Sequence, residues 1–483
     1  MAGQSRTTRA LALVHRWLGI LCCLLFAMWF STGIVMHFVP FPSLTEAERI
    51  EGLAVVDGSR VVHGPADAVR ASHIEEVTRV RLLQRADGPV YIVSGASGMA
   101  ALDATTLSSA VVRSDHLALA IATDHGRRRG LDVARATLAE LATHDQWTVP
   151  NGLDPHRPLY RVALNDRHGT ELYVSSTTGE IVRDTTRAER RWTYVGSVAH
   201  WIYPTALRRN WAAWDWTVWI ISLVAMVAAL SGAVLGVVGV KVVDNRLSSP
   251  YKGWHAWHHW LGLVSMTFVI TWTFSGWLSM DHGRLFSTGQ ASRSEQTAIT
   301  GMPNWGTVLS HVRRVELRAR EIEWFAFGGL IYRRDRIGLG AQRMLVSGLS
   351  DGDLATDRPF LLPDDVTTAV ARLAIACRAS NPVTAVDNYP IAGSMPDAPV
   401  YRSICGDIWI HIDGASGALL ERFDSSRRAY RWLYTALHTL DFPALVVRPT
   451  LRTVLILTLC GCGFLFSLTG IVIGWRRVLQ QLR

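Results

Sequence analysis

The sequence predicts a membrane protein with four transmembrane α-helices in two parallel, pseudo-symmetric halves, each half carrying an external α+β domain. Three observations predict it. Four apolar segments, at about 11–39, 211–240, 254–280 and 450–475, exceed the roughly 20 residues that cross a bilayer. Each holds at most one charged residue: Arg16, Asp215, none and Arg452. Histidines and glycines recur at constant offsets along the chain. Basic residues collect on one side of the four-span layout.

The composition agrees with that class. Of 483 residues 49% are hydrophobic and only 18% charged, below the roughly 25% of soluble domains. The net charge of +9 sits in span flanks and scattered external arginines. No basic stripe with interleaved aromatics marks an external segment, which excludes nucleic acid as a partner.

Arg6 and Arg9 precede the first apolar run as in a signal peptide. The run is longer than a signal core of about 7–15 residues and lacks a small-residue cleavage site, so an uncleaved anchor is expected. The loop between spans two and three carries Lys241, Arg246 and Lys252. Together with Arg6, Arg9 and Arg16 and with Arg476, Arg477 and Arg483, it marks the cytoplasmic side. Arg208, Arg209, Arg448 and Arg452 weigh weakly the other way. Both termini are then cytoplasmic, and the two long segments are external or periplasmic. The domain plan reads 1–40 (N-terminus and first span), 41–205 (external domain and pre-membrane segment) and 206–242 (second span). It continues with 243–253 (cytoplasmic loop), 254–281 (third span), 282–445 (second external domain) and 446–483 (fourth span and tail).

Cys22, Cys23, Cys460 and Cys462 lie inside spans, where cysteine serves as a small apolar filler. Cys377 and Cys405 lie in the second external segment, where an oxidising compartment permits but does not require pairing. The chain has no CxxCH motif, so c-type haem attachment is excluded by its usual signature.

The repeat organises the rest. An offset of 243 relates His15 to His258, Trp17 to Trp260, Gly19 to Gly262, Trp29 to Trp272 and Gly33 to Gly276. An offset of 238 relates Gly179 to Gly417, His200 to His438 and Gly232 to Gly470. Each half thus reads span, external domain, histidine, span, which describes parallel repeats about an axis along the membrane normal. The external segments hold strand–turn–strand phrases, "TELYVSSTTGEIVRD" and "IWIHIDGASGALLERF". A helical stretch, "DVTTAVARLAIACRAS", lies between such units. No glycine-rich phosphate loop or GxGxxG is present.

The phrases "HRWLGI…STG", "HHWLGL…FSG" and "LHTLDFP…LTGIVIGW" resemble the PepSY-associated transmembrane family. The strand–turn–strand units ahead of His200 and His438 are similar to PepSY domains. The resemblance covers nearly the whole chain and is weakest over 281–380. It implies kinship with inner-membrane di-haem reductases that act on ferric siderophores in the periplasm. The family's short periplasmic motif HTG stands here as HTL at His438 and HWI at His200.

Histidine in a membrane span is costly without a partner, and neutral imidazole is a favoured axial ligand for b-type haem. A haem on the two-fold axis takes one ligand from each half. His15 with His258 meets that condition at the cytoplasmic end, and His200 with His438 at the periplasmic end. Two b-type haems are therefore expected. His255 and His259 share a helix face with His258 and are alternative ligands. His37 and His282 could replace a periplasmic ligand or bind substrate iron. The plainer reading of any single one of these histidines is an interfacial residue bonded to headgroups or backbone. The glycines read equally as helix-packing positions or as room for porphyrin. Trp29 and Trp272 read as filling before electron bridges. Arg208, Arg209, Arg448 and Arg452 could contact haem propionates or snorkel to headgroups.

The expected activity is transmembrane electron transfer to a ferric siderophore or other ferric chelate, releasing Fe(II). The chain has no flavin or nicotinamide motif, so a cytoplasmic donor or membrane quinol must supply electrons. The rival readings are a non-enzymatic PepSY-type binding or regulatory protein and a transporter binding metal ions through the same histidines.

Overall fold

Among the described residues four helices are long and apolar enough to cross a membrane: Arg6–Phe38, Trp211–Gly239, Trp254–Ser279 and Pro449–Leu482. The computed structural model that shows them describes residues 6–306, 319–347, 358–373, 375–384, 386–389 and 398–482. The first and fourth helices outrun the apolar stretches that announced them, because arginine-bearing turns continue the hydrogen-bond ladder past the bilayer core. Asn210 starts the second by accepting from Ala213 N–H (3.1 Å). Pro449 opens the fourth, where its missing N–H leaves no bond unmade. The first span packs on the second and fourth, and the third packs on the same two. Spans one and three therefore face each other across the diagonal of the bundle.

The strands β1 (Val77–Gln84), β2 (Pro89–Gly95), β3 (Gly98–Asp103), β4 (Thr137–Ala142), β5 (Leu159–Ala163), β6 (Glu171–Ser175) and β7 (Ile181–Thr185) belong to the first external segment. A hairpin of β8 (Lys241–Val243) and β9 (Arg246–Ser248) joins spans two and three. It turns on Asp244 and Asn245, both at positive φ, as a two-residue hairpin turn requires. The second external segment supplies β10 (Glu321–Phe327), β11 (Leu330–Gly338), β12 (Ala341–Ser347), β13 (Asn381–Pro382), β14 (Val400–Cys405), β15 (Ile408–Asp413) and β16 (Leu419–Phe423).

Periodicity did not reveal how these segments join. Each keeps a four-stranded antiparallel sheet, β4-β5-β6-β7 in one and β13-β14-β15-β16 in the other. Each also lends three strands to a common six-stranded sheet, ordered β12-β11-β10-β1-β2-β3. Val80, Leu82, Tyr91, Ile322 and Trp324 from both segments close one core over that sheet. The helix Asp115–Arg128 covers the first four-stranded sheet, and Pro363–Ala371 packs with the second. Cys377 and Cys405 are joined as a disulfide (S–S 2.13 Å), which resolves the pairing left open above.

The seam between the segments is the antiparallel β1–β10 pair, and charge seals it. Glu321 and Glu323 on β10 are at most 1% exposed. Glu321 meets Arg49 (2.7 Å), Arg81 (3.3 Å) and Arg336 (3.5 Å), while Glu323 meets Arg79 (3.0 Å) and Arg334. Burial alone would raise the Glu321 carboxyl; Arg49 and Arg81 outweigh it and hold it down to about 2 from 4.5. The folded value lies below the unfolded one, so this stabilisation is complete above about pH 4.5 and is lost as pH falls toward 2. Replacing Glu321→Gln strands several arginines and should destabilise the external domains by about 3–5 kcal/mol. Thermal melts at pH 7 should show that loss, and wild-type melts should fall steeply only below about pH 4.5.

Candidate functional site

Two histidine pairs stand at opposite ends of the bundle. His15 on the first span and His258 on the third face across the diagonal, ring centroids 6.3 Å apart. His200 and His438, from segments that precede spans two and four, also stand 6.3 Å apart by centroid. Their rings touch Gly33 and Gly276 at the far ends of spans one and three. The levels are 18 residues apart on each span (33 − 15 and 276 − 258), about 27 Å along a helix. Phe30, Phe268 and Trp272, mutually 5.7–6.1 Å apart, fill the bundle between them.

The second pair is delivered by an unusual local structure. Helix Arg187–Thr193 widens into a π-helical turn, Tyr194–Val198, just before His200. Helix Ser425–Tyr430 widens into Arg431–Ala436 just before His438. Such turns are rare and are frequent at functional sites. Trp29 Nε1 donates to the His200 carbonyl (3.0 Å) and Trp272 Nε1 to that of Leu437 (2.9 Å). Both tryptophans are thus struts that hold these segments to the bundle.

All four imidazoles are held in one tautomer. His15 Nδ1 lies 3.1 Å from the Ala228 carbonyl, which can only accept, so Nδ1 carries the proton. The other three meet hydroxyls: His200 on Thr32 (2.9 Å), His438 on Ser275 (3.0 Å) and His258 on Thr469 (2.9 Å). Each hydroxyl spends its one proton on its own helix. Thr32 donates to the Met28 carbonyl (2.7 Å), Ser275 to Trp272 (3.1 Å) and Thr469 to Phe466 (2.6 Å). Their oxygens are left to accept from Nδ1–H, so the lone pair of every ring resides on Nε2. Burial keeps the rings neutral at the second pair, holding His200 down to about 3 and His438 to about 4.

These acceptors obey the repeat. Thr32 and Ser275 differ by 243, and Ser231, 3.4 Å from His15, differs from Thr469 by 238. The offsets alone could have flagged them, but short hydroxyl residues in a span carry no other signal. Gly232 shows why glycine is needed there: a Cβ would lie 2.5 Å from His15 Cε1.

The other histidines are engaged elsewhere. Both ring nitrogens of His259 are bonded, to Ser249 Oγ (2.8 Å) and the Gly236 carbonyl (2.9 Å), so it anchors the hairpin and has no free lone pair for a metal. His255 is exposed. His37 bonds Thr453 (2.9 Å) and His282 bonds Asp215 (2.5 Å), and neither ring joins a pair. Two of the arginines considered for propionates are also committed. Arg208 is buried among Tyr203, Trp211 and Trp214 and bonds Asn151 (2.8 Å). Arg452 bonds the Thr439 carbonyl (2.8 Å), clamping the turn that follows His438. Arg209 and Arg448 are exposed.

Paired imidazoles with Nδ1–H already bonded have the spacing that a shared metal would need. A nitrogen–metal bond is about 2.0 Å and the nitrogen lies roughly 1 Å from its ring centre, so two trans imidazoles sit with centroids about 6 Å apart. Both pairs meet that spacing. Among the described residues no group of three or more His, Cys, Asp or Glu could hold a metal ion. A pair of imidazoles would hold a metal only if a prosthetic group supplied its remaining ligands.

The chain belongs to the PepSY-associated transmembrane family. The family's PepSY-associated TM region matches residues 12–477, which takes in both histidine pairs and all the sheets. No curated protein matches the chain. Within this PepSY-associated protein, Thr469→Val leaves the His258 Nδ1–H without its acceptor. That should cost about 1–3 kcal/mol of stability and, for any metal centre that His258 would hold, weaken binding about 10–100-fold. Thermal melts and cofactor titration check the two effects separately. Gly232→Ala should act at the same pair by displacing the His15 ring.

Proposed function

We propose that the protein is a haem-dependent electron-transfer enzyme of the bacterial inner membrane that reduces a ferric chelate, in the manner of a ferric-siderophore reductase. Its two halves are read as pseudo-symmetric, with both termini cytoplasmic and the sheets in the periplasm. The basic loop and tails support that orientation, and the Cys377–Cys405 disulfide suits an oxidising compartment. The observation that carries the reading is the doubled pair of imidazoles 6.3 Å apart by centroid, each with Nδ1 spent and Nε2 bearing the lone pair.

His15 with His258 would hold one b-type haem and His200 with His438 the other. What the haem supplies is a reversible one-electron iron couple. The protein's part is to orient the rings through Thr32, Ala228, Ser275 and Thr469 and to keep water out with the aromatic packing around Phe30. The external sheets would hold the ferric chelate near the second pair. Reduction frees iron because Fe(II) is bound far less tightly than Fe(III) by hard oxygen ligands. A metal-ion transporter is less well supported, since two imidazoles alone make a poor ion site. A purely regulatory PepSY-type protein gives no reason to bury four imidazoles in one tautomer.

Purified protein should be red, with a split α band near about 560 nm after dithionite, the signature of b-type haem. Colourless protein from haem-replete cells would remove this function. His15→Ala or His258→Ala should each lose about half the haem, and adding His438→Ala nearly all. Pyridine haemochrome assay of the three proteins reads the result. Ferrous release from a panel of ferric chelates by the reduced protein identifies the substrate.

A further inference from the structure

A contact outside the two pairs is also built twice. His37, at the end of the first span, bonds the Thr453 hydroxyl of the fourth (2.9 Å). His282, just beyond the third span, bonds Asp215 of the second through Nδ1 (2.5 Å). Thr453 and Asp215 differ by 238, the offset that relates span four to span two. One strut rests on a hydroxyl and its counterpart on a carboxylate. The hydroxyl copy demonstrates that tying this histidine to the neighbouring helix needs no charge. Asp215 is the one charged residue between Trp211 and Gly239, and an ionisable group in a membrane helix marks function by default.

Its surroundings suit a flat aromatic ligand. The His282 ring stands 4.2 Å from the Trp216 ring and 4.9 Å from that of Trp219, and Trp219 lies 5.9 Å from Trp277. Trp216 is 51% exposed on the outside of the bundle, so the cluster reaches the bilayer. With its Nδ1–H given to a carboxylate, His282 keeps its lone pair on Nε2, which makes no hydrogen bond among the described residues. The Trp277 Nε1–H is buried and likewise has no acceptor among them. The cluster therefore offers an aromatic wall, a proton acceptor and an unused donor to a molecule dissolved in lipid.

We propose that His282 and Asp215, walled by Trp216 and Trp219, bind the headgroup of a membrane quinol and take up its proton. This inference rests on the reductase reading, for which it names the electron donor. Oxidation of a quinol to a quinone breaks two O–H bonds and releases two protons and two electrons. Each proton in turn goes to His282 Nε2, where Asp215 balances the imidazolium charge, and leaves to water at the membrane surface. The electrons would depart singly to a ferric acceptor, which in the proposed function would be the haem that His200 and His438 hold at this same end of the bundle. The His438 ring packs on Gly276, the chain neighbour of Trp277, so the two sites adjoin.

The decisive variant is Asp215→Thr, which copies the native His37–Thr453 strut onto the second position and so preserves a contact the fold already uses. His282→Gln is its companion. Saturable quenching of tryptophan fluorescence by a short-chain benzoquinone reports binding without any haem. Reduction by the matching quinol, followed at the α band, reports electron donation. Both variants should weaken quenching and slow quinol-driven reduction at least tenfold, with haem content and dithionite reduction at wild-type level. Wild-type quenching and quinol reduction in both variants would overturn the proposal. A colourless protein whose quenching Asp215→Thr abolishes keeps the quinol site and removes the reductase. A red protein indifferent to quinol removes the site and leaves the reductase with a cytoplasmic donor.

Discussion

A neutral imidazole has two nitrogens and one proton, and a buried ring must place both. In this protein the proton of each paired histidine is given to a neighbouring helix, and that one constraint ties the bundle together. His15 reaches the second span, His258 the fourth, His200 the first and His438 the third. Every span thus receives one such bond. The receiving hydroxyls have already donated to their own backbones, so the direction of each bond is fixed by simple proton counting. Folding the bundle and readying four Nε2 lone pairs are the same event.

The sheets are coupled to this arrangement through the pre-membrane segments. The π-helical turns, the Trp29 and Trp272 struts and the Arg452 clamp fix where His200 and His438 enter the bundle. Beyond them, the shared six-stranded sheet joins the external segments. Its central strands differ in charge: β1 brings Arg79 and Arg81, β10 brings Glu321 and Glu323. Pairing two copies of either strand would set like charges together in a buried seam, so the charges favour the pairing made within one chain.

Much of the candidate site was legible because histidines and glycines recur at two constant offsets. The histidine partners, the glycines against their rings and the four spans all follow from two offsets and an apolar periodicity. Choosing His258 over its neighbours did not. His255, His258 and His259 are equivalent by composition, and only the tertiary placement of Ser249 and Gly236 occupies both nitrogens of His259. His282 falls two positions out of register with His37, yet its contact to Asp215 is in register with Thr453.

The sequence by itself determined which segments are long and apolar enough to cross a membrane, that histidines and glycines recur at constant offsets, and which imidazoles stand at matching places. Hydrophobic transfer and repeat spacing are local or periodic properties, so a linear string records them. Tertiary structure alone decided the tautomers, the joining of two segments into one sheet, the pairing of Cys377 with Cys405, and the contacts that tie His37 and His282 to neighbouring helices. Each of those depends on which donor meets which acceptor across hundreds of residues, and proximity of that kind has no imprint on composition.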